Sequence, residues 1–291
     1  MIKASCNLLP KRVREIENVL FEMSPTNWVI ITNRNTKAST IEGTFDDETS
    51  AYEQIELLNK TFGETFKFSI EKEFKSGWKE AYKHHFQAWN YKMFHFVPTW
   101  EKQTTQITSG SKAIYIDPGM AFGTGTHETT RLCIELLIDN YLTKQPNRKK
   151  ENLLDIGCGS GILAITAAKL GFEEILAVDN DINAIENAKL NSKFNIVSNC
   201  ISFKECDIKD VSHNQYQCVI SNIQADVLLL NASLMIDMMK TKDCCLILSG
   251  ILDYETAHVI KAYKKLFDEK SIDFDLQEKN LGEWSALSFQ I

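Results

Sequence analysis

Asp155-Ile-Gly-Cys-Gly-Ser-Gly161 places three glycines at alternate positions between an apolar run, Asn152-Leu-Leu-Asp-Ile156, and a segment with helical apolar spacing, Ile162 to Leu170. Such a run suits a buried parallel strand, so the glycines belong to a strand-to-helix turn. There Gly157, Gly159 and Gly161 permit backbone angles that side chains forbid and let a ligand lie close to the main chain. A dinucleotide fingerprint needs G-x-G-x-x-G. Position 162 is Ile, so the spacing fits a ligand with no pyrophosphate to seat at the helix N-terminus. Taken alone, the string is also compatible with a plain tight turn.

Two further residues raise its meaning. Glu174-Ile-Leu-Ala-Val178 reads as a second strand ending at Asp179, about 20 residues past the loop, where an acid grips ribose hydroxyls in open α/β folds. The other reading of Asp179 is as N-cap of the helix from Ile182 to Leu190, a task Asp181 can also fill. Gln217-Cys-Val-Ile220 is a short buried strand running into Ser221-Asn222-Ile223-Gln224. Asn222 then stands at the carboxyl end of the sheet, where such folds place ligands; capping the helix that begins near Ala225 is its alternative role.

A second glycine-rich string, Asp117-Pro-Gly-Met-Ala-Phe-Gly-Thr-Gly-Thr-His-Glu-Thr-Thr-Arg131, precedes the first by one helix. It resembles the signature of the methyltransferases that modify ribosomal protein eleven of the bacterial large subunit, and the 155–161 loop resembles the general loop of S-adenosylmethionine enzymes. Asn222 stands where amine-directed methyltransferases carry an Asn, often as Asn-Pro-Pro-aromatic. Both prolines are absent here, and Asn222-Ile-Gln-Ala225 is similar to the form of the ribosomal-protein family. The resemblance runs from roughly Gly43 to the C-terminus.

That resemblance implies a Rossmann-like class I methyltransferase sheet with a smaller N-terminal ferredoxin-like domain. It implies S-adenosyl-L-methionine as cofactor, with Thr130, Gly157, Asp179 and Asn222 at the family's contact positions. The implied reaction is methyl transfer to lysine ε-amino and N-terminal α-amino groups of large-subunit ribosomal protein eleven, presented by the N-terminal domain. Asn222 is the amine-orienting candidate, and no general base is singled out. A protein lysine methyltransferase of the same architecture with another target is the alternative. The family's bridge usually carries Phe-x-Pro after its tryptophan, whereas Phe86 is followed by Gln87-Ala88, and the N-terminal domain is shortened at its start. Both departures bear on substrate docking rather than on the cofactor residues.

Patterning gives the elements that must position these residues. Residues 1–72 read as strand, helix (Pro10 to Met23), strand (Trp28 to Thr32), strand (Thr40 to Phe45), helix (Ser50 to Phe62) and strand (Thr65 to Ile70), a ferredoxin-like βαββαβ order expected to form the substrate-recognition domain. Residues 73–105 read as a helical bridge, with Trp78, Tyr82, Phe86 and Trp89 as an apolar stripe at helical spacing. Residues 106–291 read as the methyltransferase domain: helix 127–140, strands at 152, 174, 201, 217 and 244, helix 253–267, and closing strands at 272–276 and 285–291. This predicts an open sheet with one antiparallel edge strand. Gly119, Gly123 and Gly125 are hinges that would make 117–130 a lid, with Phe122 covering an apolar ligand surface; a rigid connection is the alternative.

Composition narrows the classes. The net charge of −7 argues against direct nucleic-acid readout and suits a basic protein partner. Between Glu42 and Glu64 stand seven acids and one lysine, readable as a solvated face or as a docking surface for such a partner. Eight cysteines with no C-x-x-C pair point to reduced, intracellular usage. The first ten residues lack a signal-peptide core, and no apolar run approaches about 18 residues. The expectation is a cytoplasmic monomer with no membrane segment. His127-Glu128-Thr-Thr-Arg131 lacks the second His of a zincin, so no metal is expected, and Gly119 to Thr126 lacks the Lys of a phosphate loop. His84 and His85 are expected at the surface. Two other classes are a dinucleotide-dependent oxidoreductase, opposed by Ile162, and a non-enzymatic adenosylmethionine-binding scaffold, opposed by the intact loops.

Overall fold

The computed structural model describes residues 2–22, 27–32, 38–63, 65–72, 87–117, 127–144, 150–211 and 215–291. They fall into two compact units, Met1–His84 and His85–Ile291. Trp78, Tyr82, Phe86, the His84-His85 pair and the hinge glycines between 118 and 126 lie outside the described residues.

The first unit contains β1 (Ile2–Leu8), α1 (Val13–Glu22), β2 (Trp28–Thr32), β3 (Ser39–Phe45), α2 (Glu48–Phe62) and β4 (Ser69–Lys72). Its antiparallel sheet has the order β2-β3-β1-β4, the ferredoxin-like arrangement that the element order predicts. Along β3 the period of two buries Ser39, Ile41, Gly43 and Phe45. Gly43 is small for a packing reason: a Cβ there would lie 2.5 Å from the ring of Trp28, which is 3% exposed. The Asp47 carboxylate accepts the Ser50 N–H at 2.8 Å and so starts α2. The last strand lies at Ser69–Lys72 rather than at 65–70, because the Phe66 N–H donates to Asn59 Oδ1 at 2.8 Å and is drawn from the ladder.

The second unit opens with β5 (Trp89–Tyr91), β6 (Phe94–Pro98) and β7 (Lys112–Ile116), in a three-stranded sheet of that order. The described part of the expected helical bridge, 87–105, is therefore two strands and a 3₁₀ turn at Thr99–Glu101 rather than a long helix, and the second unit begins at His85 rather than at 106. Trp89 pairs across the β5–β6 hairpin with Phe96, and their rings stack at 4.2 Å. The aromatic spacing that reads as helical continues past residue 86, where a period of two with a turn at Lys92, φ 49°, governs instead.

There follow α3 (Glu128–Ile138), β8 (Asn152–Ile156), α4 (Ile162–Leu170), β9 (Glu174–Asp179), α5 (Ile182–Phe194), β10 (Ile201–Glu205), β11 (Cys218–Asn222), α6 (Ala225–Leu230), α7 (Ala232–Asp237), β12 (Cys245–Leu252), α8 (Asp253–Glu269), β13 (Asp275–Leu281) and β14 (Trp284–Gln290). They build a seven-stranded sheet, β10-β9-β8-β11-β12-β14-β13. Successive residues of its parallel strands feed opposite cores. Leu153, Ile175, Ile220 and Ile247 pack with α3, α4 and α5, whereas Leu154, Val178, Val219 and Leu248 pack with α6, α7 and α8. β14 is antiparallel to both neighbours and sits one place in from the edge, which corrects the expected antiparallel edge strand. Its centre, Ser285 to Phe289, is buried, whereas most of β13 is half-exposed or exposed, so burial sends the more apolar arm of the hairpin inward.

Lys279 on β13 fastens this hairpin to α3 through Glu135 at 3.0 Å and Asp139 at 2.8 Å. Burial opposes its charge, but hydrogen bonds to Asp139, Glu135 and Tyr91 outweigh it and hold the ammonium above its ordinary pKa. No disulfide joins any of the eight cysteines among the described residues.

Candidate cofactor and amine site

The loops that follow β8 to β11 surround a cleft of about 530 Å³ at the carboxyl end of the parallel strands. At its floor, Gly157 takes φ +71°, and a Cβ there would come within 2.5 Å of the Ile223 side chain. Both the backbone angle and the close approach of the loop after β11 require glycine. The N–H groups of Gly157 and Cys158 donate to the Val178 carbonyl at 2.9 and 3.0 Å, tying the loop to the end of β9.

Asp179 completes that tie. Its Oδ2 accepts the Gly159 N–H at 2.9 Å and its Oδ1 accepts the Asp181 N–H at 3.0 Å. Asp181 itself caps α5, accepting the Asn183 N–H at 2.8 Å. Asp179 is thus released from capping and lines the cleft. A carboxylate offers about four lone-pair sites, so two remain for a ligand.

Across the cleft, Asn222 ends β11, while α6 begins at Ala225 without a side-chain cap. Asn222 is 9% exposed; its Nδ2 donates to Thr130 Oγ1 at 3.2 Å, and its Oδ1 is buried with no hydrogen-bond partner among the described residues. Thr130 therefore stands behind Asn222 and fixes which way the amide faces, and its neighbour Thr129 lines the cleft. Beneath the glycine loop, Asp155 is fully buried; burial raises its carboxyl pKa to about 7, with the Ala164 N–H opposing the rise and Asp179 adding to it.

His127 sits at the N-cap of α3, its Nδ1 2.8 Å from Thr129 Oγ1 and its ring edge-on to Trp284 at 5.1 Å. Among the described residues, no cluster of three His, Cys, Asp or Glu side chains could hold a metal ion.

A family model described as "Ribosomal protein L11 methyltransferase (PrmA)" matches residues 13–291. The chain belongs to this family. The match reaches further toward the N-terminus than the roughly Gly43 to which the motifs extend, taking in α1, β2 and the start of β3. A ribosomal protein L11 methyltransferase of Bacillus pumilus is 32% identical over 286 residues, covering 94% of this chain and 86% of the relative. That of Bacillus subtilis is 32% identical over 263 residues, covering 87% and 81%. A crystal structure of the ribosomal protein L11 methylase from Lactobacillus delbrueckii subsp. bulgaricus superposes with a TM-score of 0.60 at 25% identity, covering 70% of this chain and 97% of that one.

Of the four residues that the L11 methyltransferase resemblance marks, the fold brings Gly157, Asp179 and Asn222 to one cleft and places Thr130 one layer behind it. Sequence reasoning missed Asp207, Gly250 and Trp284, which also line the cleft. Asp207 was findable, since an acid just past a parallel strand is the signal that marks Asp179. Gly250 lies where a Cβ would be 2.2 Å from the Ile223 carbonyl, and Trp284 comes from the C-terminal hairpin; neither has a local signature.

Proposed function

We propose that this chain is an S-adenosylmethionine-dependent protein N-methyltransferase acting on ribosomal protein L11, with lysine ε-amino and N-terminal α-amino groups as acceptors. The observation that carries the reading is Asn222 Oδ1, a buried acceptor without a partner among the described residues, in a cleft that also holds Gly157 and Asp179. The side-chain-free floor at Gly157 and the two unused acceptor sites of Asp179 fit the cofactor's chain and ribose. When bound, S-adenosylmethionine supplies an electrophilic methyl group on a cationic sulfonium.

The acceptor nitrogen must arrive neutral, with its lone pair aimed. At pH 7, deprotonating a lysine of pKa about 10.4 costs about 4.6 kcal/mol, and an α-amine near 7.8 costs about 1 kcal/mol. Burial lowers the first penalty by disfavouring the ammonium form. Asn222 Oδ1, held in place through Nδ2 and Thr130, accepts an amine N–H and leaves the lone pair directed at the methyl group. Asp207, two residues past β10, lines the same cleft and has a carboxylate oxygen to offer the adenine amine.

The first unit is assigned to substrate presentation. Asp46, Asp47, Glu48, Glu53 and Glu56 are exposed on and before α2, complementary to a basic ribosomal protein. No helix among the described residues is long and apolar enough to cross a membrane. Action on a ribosomal protein fits a cytoplasmic enzyme, and we assign it as a monomer that reads no nucleic acid directly.

Incubating the protein with labelled S-adenosylmethionine and ribosomes that lack methylation, followed by mass spectrometry, tests the reading. Label on L11 amines is expected. Label on a different protein would favour the alternative target, and no transfer to any amine would overturn the assignment.

A further inference from the structure

β7 is an edge strand, and its open edge is satisfied by side chains. The Tyr115 N–H donates to Asn195 Oδ1 at 2.8 Å, and the Tyr115 carbonyl accepts from Asn195 Nδ2 at 2.6 Å. Two residues on, the Asp117 N–H donates to Asn191 Oδ1 at 2.9 Å, and the Asp117 carbonyl accepts from Asn191 Nδ2 at 2.9 Å. Positions four apart on a helix rise about 6 Å, and positions two apart on a strand about 6.6 Å, so α5 and its C-cap imitate a neighbouring strand with two amide rungs. Each rung uses one donor and one acceptor of a single peptide residue, which fixes the orientation of both amides.

The rungs differ in one respect. The remaining bond of Asn195 stays inside α5, on the Asn191 carbonyl at 2.8 Å. Asn191 Nδ2 also donates to the Ser160 carbonyl of the glycine loop at 3.0 Å and to Asn187 Oδ1 at 2.8 Å. Its two hydrogens thus serve three acceptors, one of them shared. Asn191 and Ser160 are both 0% exposed, so no water replaces a lost bond.

We propose that Asn191 is a positioning residue for the cofactor: one side-chain amide holds the head of the 117–131 string and the Ser160 carbonyl at a set separation. Ser160 follows Gly159, whose N–H anchors the Asp179 carboxylate. Slack at Ser160 therefore passes to Asp179, although Asn191 lies outside the cleft lining. The inference rests on the S-adenosylmethionine reading given above.

The test is calorimetric titration of the full chain with S-adenosylhomocysteine, comparing Asn191→Ala and Asn191→Asp with Asn195→Ala. Asn195→Ala removes the same kind of strand rung without touching the glycine loop, so it reports the effect of lost packing alone. We expect the dissociation constant to rise about tenfold or more in both Asn191 variants, and to stay within about threefold of wild type in Asn195→Ala. The thermal midpoints of the two alanine variants should fall alike. Equal affinity changes at the two positions, or unchanged affinity in folded Asn191 variants, would overturn the proposal. If the Asn191 variants do not fold, the wild-type protein supplies the readout. Ligand binding should then slow hydrogen exchange of the Asn191 side-chain amide more than that of Asn195, and equal slowing or none would count against it. A wild-type protein that binds no S-adenosylhomocysteine would contradict the cofactor reading, a separate outcome from equal variant effects.

Discussion

Asp155→Asn probes the buried carboxyl beneath the glycine loop. Asp155 Oδ2 accepts the Ala164 N–H at 3.0 Å, and Oδ1 has no hydrogen-bond partner among the described residues. Burial raises the pKa from 3.8 to about 7. Between those values the folded chain keeps a proton that the unfolded chain has released, so stability falls as pH rises through this window. The gap corresponds to about 4 kcal/mol, absent below about pH 4 and fully expressed above about pH 7. Asparagine cannot ionise. It retains an acceptor for Ala164, and its Nδ2 replaces the O–H of the protonated acid, leaving two unpaired donors where the acid leaves one, an offset that does not change with pH. Relative to its difference from wild type near pH 4, the variant should therefore gain about 1.5 kcal/mol near pH 5 and about 4 kcal/mol near pH 8. Urea unfolding of the full chain at a series of pH values measures this, and subtracting the two profiles cancels the other titrating groups. A difference that stays constant from about pH 4 to pH 8 would refute the coupling of Asp155 ionisation to folding.

Asp179→Ala should weaken adenosylmethionine binding by about 1.5 to 3 kcal/mol, since bonds to a charged acceptor are lost; unchanged affinity by calorimetry in a folded variant would remove Asp179 from the ribose site. Asn222→Ala should lower kcat more than it weakens cofactor binding, because the amide orients the nucleophile; normal turnover with a raised cofactor dissociation constant would make it a binding residue only. Deleting residues 1–84, at the boundary between the two units, should leave cofactor binding intact and slow methylation of L11. Circular dichroism and cofactor titration must first show a folded product, and a full methylation rate would then refute the presentation role.

The chemistry legible in the sequence is the chemistry written in contiguous residues. The 155–161 loop, the acid at Asp179 and the asparagine at Asn222 each follow an apolar strand directly, and a strand's end can be read from its own residues. Element order likewise predicts the ferredoxin-like sheet of the first unit and the alternating strands and helices of the second. Errors arose where two periods met, as at Trp89, and where a choice depended on competition for the interior, as when β14 rather than β13 took the inner place. The pairings that complete the site are absent from any local pattern. Thr130 aims Asn222 from 92 residues away, Asn191 joins Asp117 across 74, and Trp284 comes in from the C-terminal hairpin to meet His127. Local sequence sets backbone preference and apolar period, which act over a few residues. Which buried amide faces which carbonyl is decided only when the sheet closes and each polar group loses water, so that only groups with partners remain favourable.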